Sequence, residues 1–246
     1  MLLAQSLISR YRNILFGKNK VRERQGSRVC LLMSGRPSVY QSALQMLSKQ
    51  LRPLGNERIS LYALFWDPVT EEVSQKLHAA FDDVHLWGAN AGDFSHIQFA
   101  NKPEETNAGN FLSMQSGRQL LLEQIKASSG FDASQFDVFC YTRPDVCLND
   151  QISADLFTNL ADSAVYVPKN GHWRNGVNDQ FVLGRYAALQ AYLSLYSKIS
   201  HYYSCDHVTL HPEQMLAHHL RVNHLNVNKL PCDNVIFRSE FKFGIG

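Results

Sequence analysis

Arg143 and Asp145 stand two residues apart in the stretch Asp137-Val138-Phe139-Cys140-Tyr141-Thr142-Arg143-Pro144-Asp145. A guanidinium at such a place suits a phosphate, and a carboxylate suits a divalent metal. The apolar run Val138–Tyr141 reads as a central strand of an α/β sheet, and Pro144, with no N–H for a ladder, stops it. Both charges then fall at a strand's carboxyl end, where open α/β sheets take their ligands. Ser34-Gly35-Arg36 occupies the same kind of place after the buried run Val29–Met33. It has neither the GxGxxG nor the GxxxxGK[ST] spacing, which disfavours a dinucleotide fingerprint and a P-loop. A short Gly loop with one Arg still suits a nucleotide, through backbone N–H groups and a guanidinium.

Two further groups carry potential chemistry. Asn178-Asp179-Gln180 follows a polar loop holding Trp173 and Arg174. An acid between two amides suits sugar hydroxyls or the removal of a proton from one of them. Trp173 offers a face for a sugar ring to stack on. The plainer reading of this group is a β-turn with Asx hydrogen bonds. Glu213, in His211-Pro212-Glu213-Gln214, sits in the first turn of a helix, where the dipole alone favours it. The tail is rich in histidine (His201, His207, His211, His218, His219, His224) and adds Cys205. It shows no HExxH, and no finger-like pair beside a CxxC, so a structural zinc is not expected. His207 or His224 is the candidate to complete a metal shell at Asp145.

The elements that must position these residues alternate. Val29–Met33, Ile59–Trp66, Val84–Trp87, Asp137–Asp145, Ala164–Val167 and Phe181–Leu183 read as strands. Helices are expected after Ser38 with Leu44, Leu47 and Leu51 as the apolar stripe, near Glu71–Phe81, over Phe111–Lys126, over Tyr186–Ile199 and from Pro212 to Leu220. Val222–Leu230 is expected to return as a strand. Residues 88–110 are rich in Gly, Asn, Asp and Pro and read as a long loop, a kind that is often functional. This β/α alternation predicts an α/β fold, a single domain with a mostly parallel central sheet flanked by helices.

Composition bounds the rest. The 246 residues are 45% hydrophobic and 19% charged, enough for a sizeable core. Net charge is +2, but residues 1–28 hold seven cations against Glu23 alone, a net +6 that leaves −4 for the remainder. A basic arm over residues 1–27 is therefore expected ahead of a domain at 28–246. Within residues 2–24, apolar side chains at near-helical spacing precede the basic run. This segment either lies on an anionic membrane surface or packs on the domain's edge before a solvated linker. The acidic body disfavours nucleic acid. Five cysteines without a CxxC pair read as free thiols in a reducing compartment. No apolar run is long enough to span a bilayer, and the first residues lack the form of a signal peptide.

Taken in order, the motifs resemble glycosyltransferases of the GT-A type, in particular bacterial and viral enzymes of surface-polysaccharide synthesis. That group carries a strand of the form YDxVIRxRPDxxF, matched here by Phe136–Cys147. An NDQFxxG motif follows, matched by Asn178–Gly184. An hPExxLxxHL helix closes the series, matched by His211–Leu220. The resemblance spans about residues 28 to 230. It implies a nucleotide-sugar donor and a glycan or lipid-linked glycan acceptor, on the cytoplasmic face of a membrane. Ser34, Gly35, Arg36, Arg143 and Asp145 would hold the donor, Asp145 with a divalent cation (Mn²⁺ or Mg²⁺). Trp173, Arg174 and Asn178 would meet the acceptor. Asp179 is the first choice for the base of an inverting displacement, and Glu213 the second. A full Asp-x-Asp is absent because residue 143 is Arg, so Arg143 stands in part for the metal. The alternative is a non-catalytic domain of this type that binds a sugar or a partner enzyme. A nucleotidyltransferase ranks last, because Ser34-Gly35-Arg36-Pro37 is too short for the basic Gly-rich loop of those enzymes.

Overall fold

The computed structural model describes residues 27–37, 41–90, 92, 94 and 107–237. The basic arm, the expected cap Ser38 and most of the 88–110 loop lie outside the described residues.

The strands are β1 (Arg28–Gly35), β2 (Arg58–Phe65), β3 (Asp83–Gly88), β4 (Val138–Thr142), β5 (Val146–Leu148), β6 (Ala164–Val167), β7 (Phe181–Gly184), β8 (Asn226–Lys229) and β9 (Asn234–Ile236). The helices are α1 (Gln41–Gln50), α2 (Glu71–Ala80), α3 (Ala108–Ala127), α4 (Ala154–Thr158), α5 (Tyr186–Leu193), α6 (Ile199–Ser204) and α7 (Pro212–Val222). Seven strands form one sheet in the order β3-β2-β1-β4-β7-β6-β8, and β5 pairs with β9 in a small second sheet. All neighbours in the large sheet run parallel except across β7, which is antiparallel to both β4 and β6. The expected α/β fold with a mostly parallel, helix-flanked sheet is thus the observed one.

Successive residues of β1 alternate between the faces of the sheet, as strand geometry requires. Cys30 and Leu32 join a core with Phe111, Leu121 and Leu122 of α3, Leu189 of α5 and Leu216 of α7. Val29, Leu31 and Met33 join a second core with Leu44 and Leu47 of α1, Leu77 of α2 and Phe157 of α4. Three helices, α2, α3 and α7, begin on a local signal. Thr70 Oγ1 accepts from Val73 N (3.3 Å) at α2, and Asn107 Oδ1 accepts from Asn110 N (2.9 Å) at α3. Pro212 opens α7, where its missing N–H costs nothing.

The single helix expected over Tyr186–Ile199 is instead three pieces: α5, a 3₁₀ turn at Leu195–Lys198, and α6. Ser194 lies at the first break, and its Oγ donates to Ala191 O (2.9 Å). Back-bonding of this kind competes with the helical ladder. Four of the five cysteines are buried, all five are free, and Cys205 alone is exposed. No helix among the described residues is long and apolar enough to cross a membrane.

Strand order fixes where ligands belong. It runs outward from β1 to β3 on one side and from β1 to β4 on the other, so the two chain excursions diverge at the carboxyl ends of β1 and β4. Such a switch point opens a crevice there.

Candidate functional site

Register brings the sequence motifs to that crevice. Met33 pairs with Thr142, so Ser34-Gly35-Arg36 and Arg143-Pro144-Asp145 leave the sheet side by side. Ser34 Oγ lies 3.1 Å from Tyr141 Oη. Gly35 has φ +144°, and a Cβ there would meet Pro144 Cδ at 3.2 Å, so glycine both permits the turn and lets the two loops touch. Arg36 is exposed beyond them. Because β7 runs antiparallel, its first residue Phe181 pairs with Thr142, the last of β4. Asn178-Asp179-Gln180, just ahead of Phe181, therefore arrives beside Arg143.

Helix α7 is tied to the same place. Val177 N donates to Glu213 O (3.0 Å). A Cβ on Gly176 would lie only 2.4 Å from the Glu213 carbonyl carbon, so only glycine allows this approach. The turn before it presents Trp173 at 67% exposure, with Arg174 and Asn175 both in the left-handed region (φ 52° and 59°). Non-glycine residues hold that conformation only when their surroundings impose it.

At the centre is Arg118, which sequence reasoning missed. It is fully buried in α3. Its guanidinium carbon lies 4.7 Å from the Tyr141 ring centre and 5.5 Å from that of Tyr192. One NH₂ group donates to the Asp179 carbonyl and lies 3.7 Å from Asp179 Oδ2; the other donates to Gln115 Oε1 (3.3 Å). Burial opposes its charge, but Tyr141, Tyr192 and Asp179 outweigh that and hold its pKa above the ordinary arginine value. A signal exists in the sequence. Phe111, Gln115, Arg118, Leu122 and Ile125 form one helical stripe, and a polar pair inside an apolar stripe is a candidate for buried function.

Glu213 is 8% exposed, and its Oε2 lies 3.0 Å from His211 Nδ1. Burial first, and the nearby Asp179 charge second, push its pKa up to about 7, with Arg118 pulling the other way. The Glu213 carboxyl thus holds its proton toward neutrality, chiefly because burial penalises its charge and secondly because Asp179 is near.

An ordinary Glu titrates near 4.5. Between that value and 7 the unfolded chain loses its proton while the folded one keeps it, so stability falls as pH rises through this window and is level on either side. A shift of this size corresponds to roughly 3 kcal/mol. Glu213→Gln removes the effect. Measured by urea unfolding, its stability relative to wild type is expected to be flat below about pH 4.5, to rise by that amount up to about pH 7, and to level off. Parallel wild-type and variant curves across the window contradict the assignment.

Two of the expected site residues turn their side chains inward. Asn178, expected at the acceptor, bonds within its own loop. It is fully buried, its Nδ2 donates to Asn170 O (2.9 Å) and Asn234 Oδ1 (2.8 Å), and its Oδ1 accepts from Gln180 N (2.9 Å) and Phe181 N (3.4 Å). Its polar atoms are spent on the loop, as the Asx-turn reading holds. Asn234 comes from β9 and donates in turn to Gln180 Oε1. Ser34 is also buried, with its hydroxyl turned to Tyr141, which leaves the backbone of that loop to face a ligand.

The donor set around Asp145 does not fit a divalent cation. Both of its oxygens are taken by Arg143, through Nε to Oδ1 (2.9 Å) and an NH₂ group to Oδ2 (2.6 Å). Among the described residues no group of three or more His, Cys, Asp or Glu side chains is placed to hold a metal ion. That includes the histidine-rich tail, where His218 Nε2 instead meets Asp206 Oδ2 at 2.7 Å and His219 is buried against Tyr202.

No family model matches the chain, and no curated protein matches it. Among the solved structures similar to it are two sugar-transferring enzymes. One is the glycosyltransferase GlyE from Streptococcus pneumoniae TIGR4, 12% identical with a TM-score of 0.43; the match takes in 84% of this chain and 46% of GlyE. The chain thus spans less than half of GlyE's length. The other is the galactosyltransferase LgtC, solved in complex with donor and acceptor sugar analogs. It is also 12% identical, with a TM-score of 0.45, and the match takes in 82% of this chain and 72% of LgtC.

Proposed function

We propose that this chain is a glycosyltransferase of the GT-A type, moving a sugar from a nucleotide-sugar donor to a glycan or lipid-linked glycan in surface-polysaccharide synthesis. One observation carries the reading: an Arg-bearing Gly loop, an Arg-Pro-Asp loop and a buried pair of carboxyls meet at the switch point of an α/β sheet. The motif order described above supports the polysaccharide setting.

In this reading the diphosphate lies between Arg36 and Arg143, and the loop from Ser34 to Arg36 offers its backbone to the nucleotide. Trp173 and Arg174 form the acceptor's rim. An acceptor hydroxyl gives its proton to a carboxylate, its oxygen bonds to the anomeric carbon, and the bond from that carbon to the diphosphate breaks. The charge developing on the leaving group is met by fixed guanidinium groups, which is worth most in a partly buried site. Of the two carboxyls, Glu213 is the better base. Its pKa, pushed up to about 7, suits a base acting near neutrality, whereas Asp179 is held by Arg118. This reverses the order expected from sequence. The basic arm would keep the enzyme near anionic lipid.

The test is release of nucleoside diphosphate from a panel of nucleotide sugars, with and without oligosaccharide acceptors. Release from one donor family, faster with an acceptor, is expected. Binding of donors without any release favours a non-catalytic sugar-binding domain.

A further inference from the structure

We propose that Asp145 is a stand-in anion rather than a metal ligand: it fills the fork of Arg143 until a diphosphate replaces it, so the donor is held by guanidinium groups without a divalent cation. The inference rests on the donor-site reading above and says how that site recognises its ligand.

Geometry carries it. Arg143 grips Asp145 with two roughly parallel bonds, Nε to Oδ1 and NH₂ to Oδ2 (2.9 and 2.6 Å). A phosphate presents two oxygens to the same planar fork, so it competes for the same donors in the same arrangement. The fork's backbone is fixed. Val146 N donates to Arg143 O (3.2 Å), and Pro144 lies against Gly35 of the neighbouring loop. A divalent ion at Asp145 would have to displace that guanidinium or sit beside it, and like charges at such a distance repel strongly. The pair is also accessible to exchange, with side chains 30% and 23% exposed, so a released Asp145 meets water rather than an apolar wall. Arg36, exposed at the end of β1, supplies a second cation for a ligand that carries at least two negative charges.

The two roles of Asp145 predict opposite results. If it is a stand-in, Asp145→Asn removes a competitor for Arg143, and nucleoside diphosphate binding tightens by about fivefold, the worth of a partly exposed ion pair. If it is a metal ligand, the same change abolishes binding. The experiment is calorimetric titration of the full chain with UDP, GDP, CDP and ADP, each in EDTA and in Mn²⁺, for wild type, Asp145→Asn and Arg143→Met. At least one nucleotide is expected to bind wild type equally well in EDTA and Mn²⁺. It should bind Asp145→Asn more tightly and Arg143→Met at least about tenfold more weakly. Binding that requires Mn²⁺ overturns the proposal and leaves the donor site standing, and this comparison needs no variant. Binding to none of the four in either buffer overturns the donor site itself.

Discussion

Arg118→Met is expected to lower the free energy of unfolding at pH 7 by about 3–5 kcal/mol, the cost of removing one partner from a buried ion pair. The native state loses more than a packing contact. The Asp179 carboxylate stays at 4% exposure without its cation, and Glu213 loses the charge that opposes its own desolvation. The rings of Tyr141 and Tyr192 lose the cation that both face. Two checks separate this electrostatic account from simple loss of volume. At about pH 5 Glu213 is protonated with or without the Arg118 charge, so its share of the deficit should vanish and the deficit shrink. In an Asp179→Asn background, Arg118→Met should cost less than in wild type, giving a coupling of about 1–3 kcal/mol in the cycle. Urea unfolding followed by circular dichroism reads all four proteins. A deficit that is equal at both pH values and additive with Asp179→Asn would make Arg118 a packing residue only.

Glu213→Gln is expected to reduce transfer by about 10²–10⁴-fold, the usual contribution of a general base. Asp179→Asn is expected to act differently. It removes the negative charge that helps raise the Glu213 pKa and frees Arg118 to pair with Glu213. Transfer should persist, and the rise of kcat/KM with pH, expected near 7 in wild type, should move to lower pH. The measurement is a pH–rate profile for wild type and both variants on the donor that the release assay identifies. If Asp179→Asn abolishes transfer while Glu213→Gln retains the wild-type profile, the roles are reversed and the first expectation from sequence was right.

The sequence shows the pieces of this site more readily than their assembly. The ends of β1 and β4 are legible because each apolar run is closed by turn-favouring residues, Gly35-Arg36-Pro37 in one case and Pro144, which has no N–H for a ladder, in the other. That Asp179 lies beside Arg143 is not legible. It depends on β7 entering between β4 and β6 in the opposite direction, and such long-range pairing leaves no local signature in the four residues Phe181–Gly184. Asn178 illustrates a different limit. An Asn that serves a ligand and an Asn that ties a loop have the same type and flanks; only its four bonds to Asn170, Asn234, Gln180 and Phe181 decide. Arg118 hid because a charged residue inside a helix ordinarily faces water. Its place between Phe111 and Leu122 on the buried stripe was the available sign. β5 and β9, three residues each, are too short to stand out, yet their pairing carries Asn234 to the site.

The most direct measurement is hydrogen–deuterium exchange of the full chain, with and without saturating nucleotide sugars drawn from several base families. Protection is expected in peptides carrying Ser34–Arg36 and Arg143–Asp145 with one base family, and not with the others. Protection absent from both peptides with every donor tested, or confined to other parts of the chain, contradicts a donor site at the switch point of β1 and β4.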